Sequence, residues 1–247
     1  MSQESIPSFI EALQSPQEMV RVQAAKSLGA LGQLAVQAIP ALVRAVGTDG
    51  SINVSREAST AIQRIGAAGI PVLLEIVRNP QSDKLRQYTS FFRDVNEFRN
   101  YAADELANLG PPSLPQLLTL LDDPDEAVRD VAIEALPRVG PAAEAAVPKL
   151  TTFLFDSDWS APTAISLAQI AALAEDPKQS SAFKSLLRAL KEGNVLVRRH
   201  VVSAFEFMGD KVKVAIPALI EATQDADEEV REKSARLLEQ LNTSQKV

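Results

Sequence analysis

The chain of 247 residues contains no cysteine. Disulfides, thiolate zinc sites and cysteine nucleophiles are thereby excluded. It has a single histidine, His200, which cannot build the usual zinc site and has no Ser–His–Asp constellation around it in sequence, so it reads as a groove or surface residue. Aromatic residues make up only 5% of the chain while 46% is apolar, a balance suited to thin alanine-rich layers rather than one bulky core. No run of roughly 18 apolar residues occurs, and the opening MSQESIPSFIEAL has neither a basic flank nor a long apolar stretch. A soluble, cytoplasmic protein without a membrane span is therefore expected. Positive charge is also scarce: 25 Lys and Arg face 32 Asp and Glu, and the net charge of −7 argues against nucleic acid as a partner.

What the chain does have is a repeated unit, clearest in Leu114–Gly140, LPQLLTLLDDPDEAVRDVAIEALPRVG. Leu114, Leu117, Leu118 and Leu121 recur at helical spacing, and Pro115 occupies the opening position, where a missing N–H costs nothing. An acidic turn at Asp122–Asp125 leads into a second helix with Val128, Ala132, Ala135, Leu136 and Val139 on one side, stopped by Gly140-Pro141. The turn DDPDE lacks the spacing and the glycine of a calcium loop, so its carboxylates read as helix caps and no metal is expected.

Three landmarks recur in phase with this unit. First helices open at Pro7, Pro40, Pro71, Pro115, Pro148 and Pro217, with Phe183 standing where a seventh proline would be. Second helices begin at Val20-Arg21, Phe98-Arg99, Val128-Arg129, Val197-Arg198 and Val230-Arg231, with Val54-Ser55 and Pro162-Thr163 as departures. They end at Leu31-Gly32, Ile65-Gly66, Leu109-Gly110, Val139-Gly140 and Met208-Gly209. A helix pair that is apolar on two sides cannot bury itself alone, so the copies must stack. The expectation is an all-α chain of about seven helix pairs forming a single unit over residues 1–247, closed by the polar tail NTSQKV.

The segments IPALVRAV, DDPDEAVRDVAIEALPRVG and DADEEVREKSARLLEQL resemble HEAT repeats, in particular the short subtype named for the phycobilisome lyases. That resemblance implies a right-handed α-α superhelix with the second helices lining a concave face. It also implies that Arg21, Arg99, Arg129, Arg198 and Arg231 form a ladder with the acidic turns of their own or neighbouring repeats. The subtype suggests a cyanobacterial, photosynthetic setting.

Function is sought where the repeat breaks its own rule. The third copy carries an insertion over residues 79–97, and of the chain's twelve aromatics Tyr88, Phe91, Phe92, Phe98 and Tyr101 fall within fourteen positions. Phe98 aligns with the core valines. Leu85, Tyr88, Phe91 and Phe92 sit at spacings of three to four, which predicts a short extra helix with one aromatic face, flanked by Lys84, Arg86 and Arg93. That face either folds down onto the neighbouring ridge or binds a partner.

A second departure is the fourth position of each second helix, Gln23, Glu57, Tyr101, Val131, Ile165, His200 and Lys233. Its middle members, extended by Phe207 and rimmed by Arg56, Arg138 and Arg199, would form a semi-apolar stripe on the concave face, unless a one-residue misalignment buries them. Trp159, in the weakest copy, is either a packing wedge or an exposed anchor.

The first expectation is a non-catalytic protein-binding scaffold or assembly chaperone, with no bound cofactor and a protein partner in the concave groove. Its candidate site residues are Tyr88, Phe91, Phe92, Arg93, Tyr101, Val131, Ile165, Arg199, His200 and Phe207. Clients of such a chaperone would be a phycobiliprotein or other photosynthetic protein, or an iron–sulfur assembly protein. The alternative that the resemblance implies is a bilin lyase or lyase subunit, attaching or detaching a linear tetrapyrrole with Tyr88, Phe91 and Tyr101 stacked on the chromophore. A HEAT-like nucleic-acid-binding protein is the third reading, and the acidic charge disfavours it.

Overall fold

The computed structural model describes residues 3–243, which contain α-helices, short 3-10 turns and no strand; residues 244–247 of the expected polar cap lie outside the described residues. Fifteen α-helices occur among them. The first-helix series is α1 (Ile6–Ala12), α3 (Ile39–Thr48), α5 (Ile70–Arg78), α8 (Leu114–Leu120), α10 (Val147–Leu154), α12 (Ser181–Glu192) and α14 (Ile216–Ala222). Their partners are α2 (Glu18–Ala30), α4 (Ile52–Ile65), α7 (Val95–Asn108), α9 (Glu126–Ala135), α11 (Ser160–Leu173), α13 (Val195–Ala204) and α15 (Glu228–Thr243). One more helix, α6 (Arg86–Thr89), belongs to the insertion. The chain forms two compact units, residues 1–139 with four helix pairs and residues 140–247 with three.

The starts and stops follow from local chemistry. Proline stands in the first turn of α1, α3, α5, α8, α10 and α14, where its fixed φ suits a helix and its absent N–H has no partner to lose. Helix α12, which lacks that proline, is opened instead by the Ser180 hydroxyl, which accepts from the N–H groups of Ala182 and Phe183. The Glu144 carboxylate in turn accepts from the hydroxyls of Ser180 and Ser181. Gly32, Gly66, Gly110, Gly140 and Gly209, the residues that stop the second helices, all have positive φ. The stretch Ile52–Arg78 is long and apolar enough to cross a membrane by length and composition. Gly66, at φ +68, instead breaks it into α4 and α5, two separate helices of the stack.

Each pair buries a leucine- and alanine-rich seam, with Leu28, Leu42, Ile62, Leu73, Leu106, Leu117, Leu150, Leu186 and Leu219 fully enclosed. Arginines tie neighbouring copies together. Arg21 reaches Asp49 at 2.6 Å, Arg99 reaches Asp125 at 3.0 Å and Arg198 reaches Asp225 at 2.8 Å, each crossing to the turn of the next repeat. Arg21 and Arg198 also bind their own turn, donating to the carbonyls of Ser15 and Gly193, and Arg129 and Arg231 likewise donate to those of Asp123 and Asp225. The ladder therefore uses both neighbours that the repeat offers.

Two candidate surface residues are corrected by this packing. Phe92 is only 9% exposed, with its ring 5.1 Å from Phe98 and 5.9 Å from Tyr101, so it is core rather than contact surface. Val131 is 6% exposed, because a short β-branched side chain at this position of α9 does not reach past its neighbours. The single aromatic face expected of the insertion also divides. Its helix is one turn long, and Leu85 and Phe92 point inward while Phe91 points to solvent.

Candidate functional site

In the first unit the insertion, the end of α3 and the start of α7 enclose a cleft of about 530 Å³, lined by Gly47, Thr48, Phe91, Arg93, Glu97, Asn100, Tyr101 and Asp104. Helix α7 is fixed by Asp94, whose carboxylate accepts from the N–H groups of Asn96 and Glu97 and turns the chain sharply out of the insertion. That cap moves the helix start back to Val95, so residues 95–97 of the expected insertion belong to α7 and place Glu97, Asn100, Tyr101 and Asp104 along one side. Tyr101 is half-buried, Phe91 is 53% exposed and Arg93 projects freely, with Glu97 at 3.6 Å. Tyr88 is half-buried, and burial pushes its phenol above the ordinary value against the pull of Arg44.

The electrostatics of this region involve residues that sequence reasoning missed. Asp104 pairs with Arg138 at 2.7 Å, yet burial raises its carboxyl pKa. Asp130 and Glu134 of α9 are raised by burial as well, and Glu134 further by the charges of Asp130 and Asp104. Asp104 and Glu134 each lie six residues beyond the landmark apolar residue of their helix, Phe98 and Val128, so the repeat alignment held the signal. Arg44 of α3 is 7% exposed, with its guanidinium 4.7 Å beneath the Phe91 ring. No repeat landmark marks it.

The remaining candidates lie in the second unit. Ile165 is half-buried and Phe207 is 48% exposed. Arg199 is committed to ion pairs with Asp227 and Glu229, each at 2.6 Å. His200 Nδ1 lies 2.7 Å from the Ser160 hydroxyl, and burial followed by the Lys233 charge lowers the imidazole pKa. This is not a nucleophile and base: Ser160 is fully buried and its hydroxyl donates to the Ser157 carbonyl, so no substrate atom can reach it. Trp159 packs edge-on against Phe153 with ring centroids 5.8 Å apart.

Residues 6–89 and 94–169, more than half of the chain, match the model of HEAT repeats. No curated protein matches the sequence. Among solved structures, an engineered protein is 17% identical, with 98% of each chain covered and a TM-score of 0.37. Kap121p, solved bound to Pho4p, is 15% identical over 94% of this chain and 28% of that one, with a TM-score of 0.45. The complex of CpcE and CpcF of phycocyanin lyase from Nostoc sp. PCC7120 is 20% identical over 98% of this chain and 95% of that one, with a TM-score of 0.36. The all-helical pairs, their in-phase landmarks and the match over more than half of the sequence place this chain in the HEAT-repeat family.

Proposed function

We propose that the chain is a non-catalytic protein-binding module whose partner seats in the cleft between α3, the insertion and α7. The observation that carries this reading is Phe91, a large ring left 53% exposed at the rim of a concavity, on a segment that the repeat does not require. Leaving a phenylalanine in water forgoes about 2 kcal/mol of burial, and aromatic anchors beside a polar rim are the usual centre of a protein interface. Tyr101 supplies a second ring, and Arg93, Glu97, Asn100 and Asp104 supply the rim. Ile165, His200 and Phe207 are a further candidate surface, carried by the second unit. An assembly role for a cofactor-bearing client such as a phycobiliprotein is the finer form of this reading. Its support is the resemblance of the repeat motifs to the phycobilisome-lyase subtype.

A photo-crosslinking amino acid placed at Arg93, with the same group at exposed Thr152 of α10 as control, tests the site in a native lysate. The expected outcome is one dominant protein adduct at position 93, absent at position 152 and lost when Phe91→Ala is added. The same set of adducts at both positions, or no adduct at 93, would overturn the reading.

A further inference from the structure

Buried and half-buried arginines in this fold are generally paired with carboxylates. Arg21 meets Asp49, Arg99 meets Asp125, Arg198 meets Asp225 and Arg199 meets Asp227, all within 3.0 Å. Arg44 departs from this pattern. Its Nη2 makes one contact, 3.5 Å from the Leu13 carbonyl, at the outer limit of a hydrogen bond, and its buried Nε has no partner among the described residues. The carboxylate whose charge reaches it, Asp49, is already held by Arg21 through two contacts of 2.6 and 3.0 Å. A guanidinium offers five donors, and one left buried without a partner, as Nε is here, is costly.

What covers this cation is the Phe91 ring, 4.7 Å from the guanidinium carbon and itself 53% exposed. A ring face attracts a cation but accepts none of its in-plane N–H donors. The arrangement is a buried cation with an unpartnered donor beneath a ring that is itself half exposed.

We propose that Arg44 is a carboxylate-binding site masked by Phe91, which an Asp or Glu side chain of the protein partner occupies when the ring swings out. The planar fork of a guanidinium matches a carboxylate bidentately. The surroundings favour one negative charge over two. Asp49 already acts on Arg44, and the neighbouring cleft carries Glu97 and Asp104, so a phosphate dianion would meet more repulsion than a carboxylate. This inference rests on the reading of the cleft as the partner site. It adds that Phe91 both anchors the partner and guards the charge beneath.

The test is an NMR titration of the Arg44 Nε–H signal in the full chain, assigned by its loss in Arg44→Lys. Wild type and Phe91→Ala are each titrated with acetate and, separately, with inorganic phosphate. The expected result is a saturable shift with acetate in Phe91→Ala at a dissociation constant about tenfold or more below that of wild type. No saturable shift, equal affinity in both forms, or saturation by phosphate alone would each overturn the proposal. Because acetate is the probe, a negative titration leaves the crosslinking outcome at position 93 intact, and failed crosslinking leaves the titration intact.

Discussion

Gly47 and Tyr101 are in direct contact: a Cβ added at Gly47 would stand 2.6 Å from the Tyr101 ring and equally close to Phe92. The backbone of α3 is thus the floor on which the aromatic side of the cleft rests. Gly47→Ala gains about 1 kcal/mol of helix propensity, but it forces two packed rings aside, which typically costs about 1–3 kcal/mol. The expected net effect is a lower unfolding midpoint and a Tyr101 ring displaced into the cleft. Denaturant unfolding and tyrosine fluorescence measure both, and a midpoint above wild type would show that the rings yield without strain.

The repeat was legible because it is periodic. Pro40, Pro71 and Gly110 each perform one local task, and a task repeated in phase can be read without coordinates. The insertion resisted because periodicity applies only while a helix continues. Extending helical spacing from Leu85 to Phe92 put Tyr88, Phe91 and Phe92 on one face, whereas the helix stops at Thr89 and the turn beyond it sends Phe92 in and Phe91 out. Arg44 was illegible for a different reason. Its interest lies in having no carboxylate in hydrogen-bond contact among the described residues, which no spacing along the chain records.

The Arg198–Asp225 pair tests the ladder. Both contacts are 2.8 Å, in the forked geometry that strengthens charged hydrogen bonds. Hydrogen bonding from Arg198 holds the Asp225 carboxyl below its ordinary value, despite burial acting the other way. The folded state therefore binds this proton more weakly than the unfolded state. The stabilisation is complete above the ordinary aspartate value near 3.8 and is lost as pH falls through the depressed one. A double-mutant cycle with Arg198→Ala and Asp225→Ala should give a coupling of about 1–2 kcal/mol at pH 7 that vanishes in strong acid. A coupling unchanged by pH would show that packing, not charge, links the two residues.

Glu105 behaves in the opposite sense. It is 3% exposed on α7, with hydrogen bonds from Ser59 at 3.0 Å and Asn108 at 3.4 Å but no cation in contact among the described residues, and burial raises its carboxyl above the ordinary value near 4.5. The folded state here binds the proton more tightly than the unfolded state, so stability declines as pH rises from that ordinary value through the raised one. Glu105→Gln keeps the shape and an acceptor for Ser59 while removing the charge. It should stabilise the protein at pH 7 and flatten the pH dependence above the ordinary glutamate value. A variant less stable than wild type across that range would show that the ionised carboxylate is needed where it stands.

Single substitutions at Phe91 and Phe92 separate contact surface from core within two adjacent residues. Phe92 is enclosed between Phe98, Tyr101 and the backbone at Gly47, so Phe92→Ala opens a cavity and should cost about 3–5 kcal/mol. Phe91 is half exposed and lies over the Arg44 guanidinium, so Phe91→Ala should cost no more than about 1 kcal/mol. A combined replacement of both would lower stability whatever the role of Phe91, and any loss of partner binding would then be ambiguous. The informative comparison is therefore Phe91→Ala alone, checked by denaturant unfolding before any binding measurement. If its unfolding midpoint stays near wild type while crosslinking at Arg93 disappears, the ring acts on the partner and not on the fold. If its midpoint falls as far as that of Phe92→Ala, the ring is a structural cover, and the cleft loses its anchor.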